Sequence, residues 1–210
     1  MVTNWNLWDT GKHADIKIIC RGYHWFLHRS ILASRCAWFN ERIKELEKDG
    51  KYDKYYVLDL DELLFAPVRC LLYFIYHGDI VHGQLREMSS WYDKALAELY
   101  DVSIKLEFPQ FGKALLALCK EHLYLTLQYY KANPKAEMPH YQIDKFLRGV
   151  RIAYAGDDDD QAKLRRAYVK FFARIHRTIK MDKYFFREIR SVPMFSADLL
   201  EYLGLSGWKR

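Results

Sequence analysis

Apolar and polar residues alternate twice within the first sixty positions, and each alternation ends where a turn or helix signal begins. In "ADIKIIC" Ile16, Ile18 and Cys20 fall on one side of an extended chain, with Lys17 and Ile19 on the other, which is the period-two pattern of a half-buried strand. Arg21 and Gly22 supply a turn and the aromatic "YHWFLH" a second strand, so a β-hairpin is predicted. The period then changes. Ile31 and Leu32 precede Ser34, a candidate N-cap, and Trp38, Phe39, Ile43 and Leu46 recur at helical spacing until "KDGKYDK" breaks the pattern, giving two short helices. Tyr56, Leu58 and Leu60 in "YYVLDLD" restore the period of two as a third strand.

Downstream the pattern is mostly helical. Pro67 suits the first turn of the helix carrying "VRCLLYFIYH", and Gly78 stands where a left-handed C-cap belongs. A short "DIV" strand is expected next, then a helix "WYDKALAELYDV" capped by Ser89 or Ser90. The helix "FGKALLALCKEHLYLTLQYY" follows and runs to the break at "KANPKAEMP". From about Gln142 the helical pattern continues to "SVPMFSADLLEYL".

One helix in this second half is amphipathic in an unusual way. In "QAKLRRAYVKFFARIHRTIK" Leu164, Tyr168, Phe171, Phe172, Ile175 and Ile179 share one side at 100° per residue, while Lys163, Arg166, Lys170, Arg174 and Arg177 share the other. Two readings stand: a core helix whose outer face is solvated by Lys and Arg, or a surface for an acidic protein or nucleic acid. The charge balance agrees with either. Residues 1–105 hold 14 Lys/Arg against 15 Asp/Glu and residues 106–210 hold 19 against 12, a split of −1 and +7.

Composition narrows the class. Half of the 210 residues are hydrophobic and 16% aromatic, enough to bury a core without disulfides or metals. Cys20, Cys36, Cys70 and Cys119 form no CxxC pair, so reduced, buried thiols are expected. The N-terminus has no basic start followed by a long apolar stretch, and the longest apolar run is "LLYFIY", far below the ~18 residues a bilayer requires. The expectation is an intracellular chain, nuclear or cytoplasmic.

Enzyme signatures are missing: there is no GxGxxG, GxxxxGK, GxSxG or HExxH. His24 and His28 straddle a strand-to-helix junction, where i to i+4 spacing does not imply one face, so a structural histidine is expected rather than a metal pair. "GDDDDQ" lacks the alternating spacing and closing Glu of a calcium loop and reads as solvated. No catalytic residue, cofactor or metal is expected.

The order of hairpin, two helices, strand, helix, short strand and further helices carries a family resemblance. "ADIKI", "FLHRSILASRCAWF", "VLDLD", "LLYFIYHGDI" and "KALAELYDV" occur in that order between His13 and Val102, and together they resemble a BTB/POZ domain in the style of fungal members. The fold implied is α+β, a small β-sheet with a cluster of helices over 1–125, followed by an all-α extension over 126–210. The function implied is a non-catalytic scaffold or adaptor that self-associates and binds partner proteins.

The resemblance also assigns roles. In BTB homodimers the family's first-strand Asp and the basic residue after the His lie near the dimer interface in a charged pocket; Asp15 and Arg29 hold those positions. The plainer alternative has Asp15 capping a turn and Arg29 beginning a helix, with no partner. Family dimers often exchange an N-terminal segment as well; only 12 residues precede His13, but Trp5, Leu7 and Trp8 would make a short apolar turn there. Cullin-binding members carry a hydrophobic-x-acidic motif before the third strand; "KDGKYDK" has none, and Ile43-Lys44-Glu45 matches only earlier, within the helix. A substrate receptor of a cullin-type ubiquitin ligase and a nucleic-acid-associated subunit are the alternatives. No DNA-reading module follows the BTB-like region. Neither a membrane nor a small-molecule substrate is expected as partner.

Overall fold

The structure is a computed structural model that describes residues 5–50, 54–81, 85, 92–155, 161–178 and 183–204. The chain divides into two compact units, Met1–Met88 with Val102–Lys113, and Ser89–Asp101 with Ala114–Arg210.

The first unit is built on a three-stranded sheet in the order β2-β1-β3, formed by β1 (Ile16–Cys20), β2 (Tyr23–Leu27) and β3 (Tyr56–Asp59). The hairpin pairs Ile16 with Leu27 and Cys20 with Tyr23, whereas β3 runs parallel to β1 from Ile16 opposite Tyr56. Arg21 and Gly22 both take positive φ, 51° and 80°, as a two-residue hairpin turn of matching twist demands. Arg21 is not a residue that adopts this backbone readily. Its N–H donates to Asp61 Oδ1 and its Nε donates to the Leu63 carbonyl at 2.9 Å, which ties the turn down. One sheet face, made of Ile16, Ile18, Cys20, Leu27 and Leu58, is buried.

Helices close that face. α1 (Trp5–Thr10) precedes the sheet; α2 (Arg29–Arg35), α3 (Ala37–Asp49) and α4 (Phe65–His77) follow its strands. Gly50 and Gly78 end α3 and α4 in the left-handed conformation, at φ 63° and 76°. Two expectations are corrected. Ser34 caps nothing: its hydroxyl donates back to the Ile31 carbonyl inside α2, and Cys36, in extended conformation, separates the two helices. The "DIV" segment is no strand, because Ile80 and Val81 are irregular and Ile80 N–H is taken by the Asp79 side chain at 2.7 Å.

The second unit is helical in its described residues. α5 (Tyr92–Lys105) and α6 (Pro109–Ala132) contribute to both units, and α7 (His140–Ala153), α8 (Ala162–Ile175), α9 (Lys183–Arg190) and α10 (Pro193–Tyr202) to the second. Its core is aromatic. Phe146 meets Tyr168, Phe171 and Phe195, and Phe172 stacks on Phe185 with ring centres 4.7 Å apart and planes 4° off parallel. Gly149 lets α7 approach this core: a Cβ there would stand 2.5 Å from the Tyr168 hydroxyl and 2.9 Å from the Asp93 carbonyl oxygen. The amphipathic helix is shorter than its pattern predicts. It ends at Ile175, Arg177 lies in the following turn, and Ile179 lies outside the described residues, as do Ser89, Ser90 and the four aspartates of "DDDD".

All four cysteines are free and buried. Among the described residues no helix is long and apolar enough to cross a membrane.

Candidate interaction surfaces

Hairpin geometry brings Asp15 and Arg29 together. Ile16 pairs with Leu27, so the residue before β1 and the residues after β2 emerge side by side, and Asp15 N–H donates to the Leu27 carbonyl at 3.0 Å. Asp15 then uses both carboxylate oxygens on Arg29. Oδ1 accepts the Arg29 backbone N–H at 2.8 Å and Oδ2 accepts Nε at 2.9 Å. Asp15 thus satisfies one of the open N–H groups at the start of α2 from a distance in sequence. Glu47 of α3 takes Arg29 Nη1, and the guanidinium lies 4.4 Å from the centre of the Tyr56 ring. Burial alone would lower the pKa of Arg29, but the hydrogen bond and charge of Asp15, with Glu47, outweigh it and hold the pKa above its ordinary value. The cluster stays partly open, with 28% of the Arg29 side chain and 38% of the Asp15 side chain exposed.

His28 turns inward beside it. Its N–H donates to the Tyr76 hydroxyl at 2.8 Å, Nδ1 lies 2.8 Å from the same oxygen, and Nε2 lies 2.7 Å from the Lys12 carbonyl. One tautomer satisfies all three contacts, with Nε2–H donating to Lys12 and Nδ1 accepting the Tyr76 proton. Burial raises the Tyr76 pKa, partly offset by the bond from His28 N–H. His24 is exposed on β2 against Phe26, so the two histidines have separate surroundings, and no metal-holding group of His, Cys, Asp and Glu occurs among the described residues. Trp8 packs edge-on against Tyr73 and Tyr76 of α4, with ring centres 5.7 and 5.3 Å away, which commits part of it to its own chain. Trp5 opens α1, and its side chain lies outside the described residues.

The sheet's other face is open beside the charged cluster. Lys17 stands in register with Phe26 and Val57, and both apolar partners are exposed, at 38% and 47%. The family model of the BTB/POZ domain matches residues 5–124, more than half of the chain. The chain belongs to the BTB/POZ family. Among solved structures it is similar to the BTB domain of zebrafish PATZ1, with 17% sequence identity, 57% of this chain and 86% of that chain covered, and a TM-score of 0.43. BTB domains typically serve as protein-interaction modules.

Within the BTB domain, Ile43 is only 4% exposed on the inner side of α3, while Glu45 is exposed and paired with Arg42 at 2.8 Å. The Ile43-Lys44-Glu45 sequence therefore keeps its apolar member in the core. In the second unit Lys163, Arg166, Lys170, Arg174 and Arg177 are all exposed, and Leu164, Tyr168, Phe171, Phe172 and Ile175 are all buried. The sequence did not reveal Glu47, Tyr56 or Tyr76 as partners of the hairpin cluster. No local spacing connects residues that only the sheet and helix packing bring together.

Proposed function

We propose that the chain is a non-catalytic BTB interaction module over 1–125, joined to a helical region over 126–210, and that it self-associates through the surface around Asp15 and Arg29. The observation that carries this reading is the family match over residues 5–124. What supports the location is a half-exposed charged cluster next to an open, partly apolar sheet face: Arg29, Asp15 and Glu47 beside Phe26 and Val57. A surface that combines an apolar centre with ionised groups of both signs suits a self-complementary contact, because in a two-fold interface each copy offers the other the same patch. Trp8 contributes by fixing α1, the helix that Trp5 opens, on α4.

The cullin reading has the weaker footing, since a buried Ile43 offers no apolar side chain to a partner. Light scattering on the full chain at micromolar concentration tests self-association. A dimer that dissociates on Asp15→Ala or Arg29→Ala, with the helical circular dichroism retained, is the expected result. A clean monomer that neither substitution alters would overturn the reading.

A further inference from the structure

We infer that the groove between α6 and α8 docks an acidic, amphipathic helix of a partner protein. This surface lies wholly in the second unit and does not depend on self-association through the first. The groove has a volume of about 350 Å³; Leu123, Leu127, Ala167 and Phe171 form its apolar floor, each only 4 to 8% exposed, so that a partner reaches just their groove-facing edges. Lys120 and Tyr124 rim it from α6, and Lys170 and Arg174 from α8. Among the described residues no acidic side chain lines it, and none of the three cations has a carboxylate partner.

The rims run along the two helices. Lys120, Tyr124 and Leu127 follow i, i+4, i+7 spacing on α6, and Lys170 and Arg174 are four apart on α8, so each set keeps to one helix face. At 1.5 Å per residue the α6 lining from Lys120 to Leu127 extends about 10 Å, or two helical turns, the reach of an i, i+3, i+4, i+7 anchor set on a docked helix. Tyr124 is 56% exposed, and its ring adds amphipathic contact area of the type found at the centre of interfaces. Three like charges around an apolar floor repel one another, and carboxylates flanking an apolar helix stripe would relieve that repulsion. The floor also separates this surface from a nucleic-acid site. Phosphates require cations and no apolar trough, and a single exposed ring gives successive bases no stacking platform.

The test selects a displayed library of random peptides, long enough for about four helical turns, on the full chain. Recovered peptides are expected to carry Leu, Ile or Phe at helical spacing between Asp and Glu. Their affinity is expected to fall by about tenfold or more with Lys170→Glu and Arg174→Glu combined, and with Lys120→Glu on the opposite rim, and to weaken with added salt. The thermal midpoint should be unchanged in all variants, since the substituted side chains are exposed. Recovery of peptides without acidic enrichment, or of acidic peptides indifferent to both variants, would overturn the proposal. So would a DNA duplex or single-stranded RNA that binds more tightly than every recovered peptide and is lost in the same variants.

Discussion

Around Asp15 and His28 in the first unit the polar groups meet full sets of hydrogen-bond partners, while Asp93, Gln161 and Tyr168 in the second are held with fewer. His28 uses its N–H and both ring nitrogens, and Asp15 uses both oxygens. In the second unit the Tyr168 hydroxyl, fully buried, reaches the Asp93 carbonyl at 3.3 Å, and Asp93 Oδ1 and Gln161 Oε1 are buried with no hydrogen-bond partner among the described residues. Burial, reinforced by Cys119 and Asp93, pushes the Tyr168 pKa well above its ordinary value. Sheet register and hydrogen bonds therefore specify the first unit, and ring shape and close backbone approach the second. The units should accordingly fail for different reasons when single atoms are changed.

The largest effect is expected where the second unit has least room. Gly149→Ala removes a helix glycine, which alone would stabilise by about 1 kcal/mol. The new methyl would meet the Tyr168 hydroxyl at 2.5 Å and the Asp93 backbone at 2.9 Å. Tyr168 is walled in by Phe146 and cannot swing away, so a net loss of about 2 to 3 kcal/mol in urea unfolding is expected. Adding Tyr168→Phe, which deletes the nearest atom, should recover part of that loss. A stability change below about 0.5 kcal/mol for Gly149→Ala would mean that shape does not govern this core.

A smaller loss tests the other half of the contrast. Tyr76→Phe leaves the ring, and with it the Trp8 contact, but removes the oxygen that accepts His28 N–H and meets Nδ1. A buried donor without a partner costs about 1 to 3 kcal/mol, and the lower part of that range is expected because Nε2 keeps its bond to Lys12. Urea unfolding at neutral pH measures it. No change would show that these bonds do not specify the first unit.

The same contrast explains what the sequence could reveal. The hairpin, β3 and the long helix α6 announce themselves through periods of two and 3.6, because burial on one side of an element leaves a local record. The inner face of α8 was legible for that reason, down to Tyr168, Phe171 and Phe172. Parallel pairing of β3 with β1 left no such record, since period two does not specify a neighbour. Ser34 misled because its hydroxyl is satisfied by the Ile31 carbonyl within α2, and Cys36, in extended conformation, takes the place before α3. Lys120 was separable from an ordinary solvated lysine only through its spacing with Tyr124 and Leu127, and even that does not reveal that α8 lies opposite.

The smallest effect compares one kind of change in both units. Arg29→Gln removes the guanidinium that Asp15 Oδ2 and Glu47 hold, and keeps the backbone N–H bond to Asp15 Oδ1. Both side chains are about a third exposed, so solvent screens the pair, and the expected loss is only about 1 kcal/mol. Lys170→Gln with Arg174→Gln removes two charges from α8, yet among the described residues neither cation has a carboxylate partner, while Phe171 and Phe172 beneath them stay packed. The double change should therefore shift stability by less than about 0.5 kcal/mol, less than the single change at Arg29. Urea unfolding of the two variants in parallel decides the order. If the pair on α8 costs more than Arg29 does, those cations support the fold and are not a face left free for a partner.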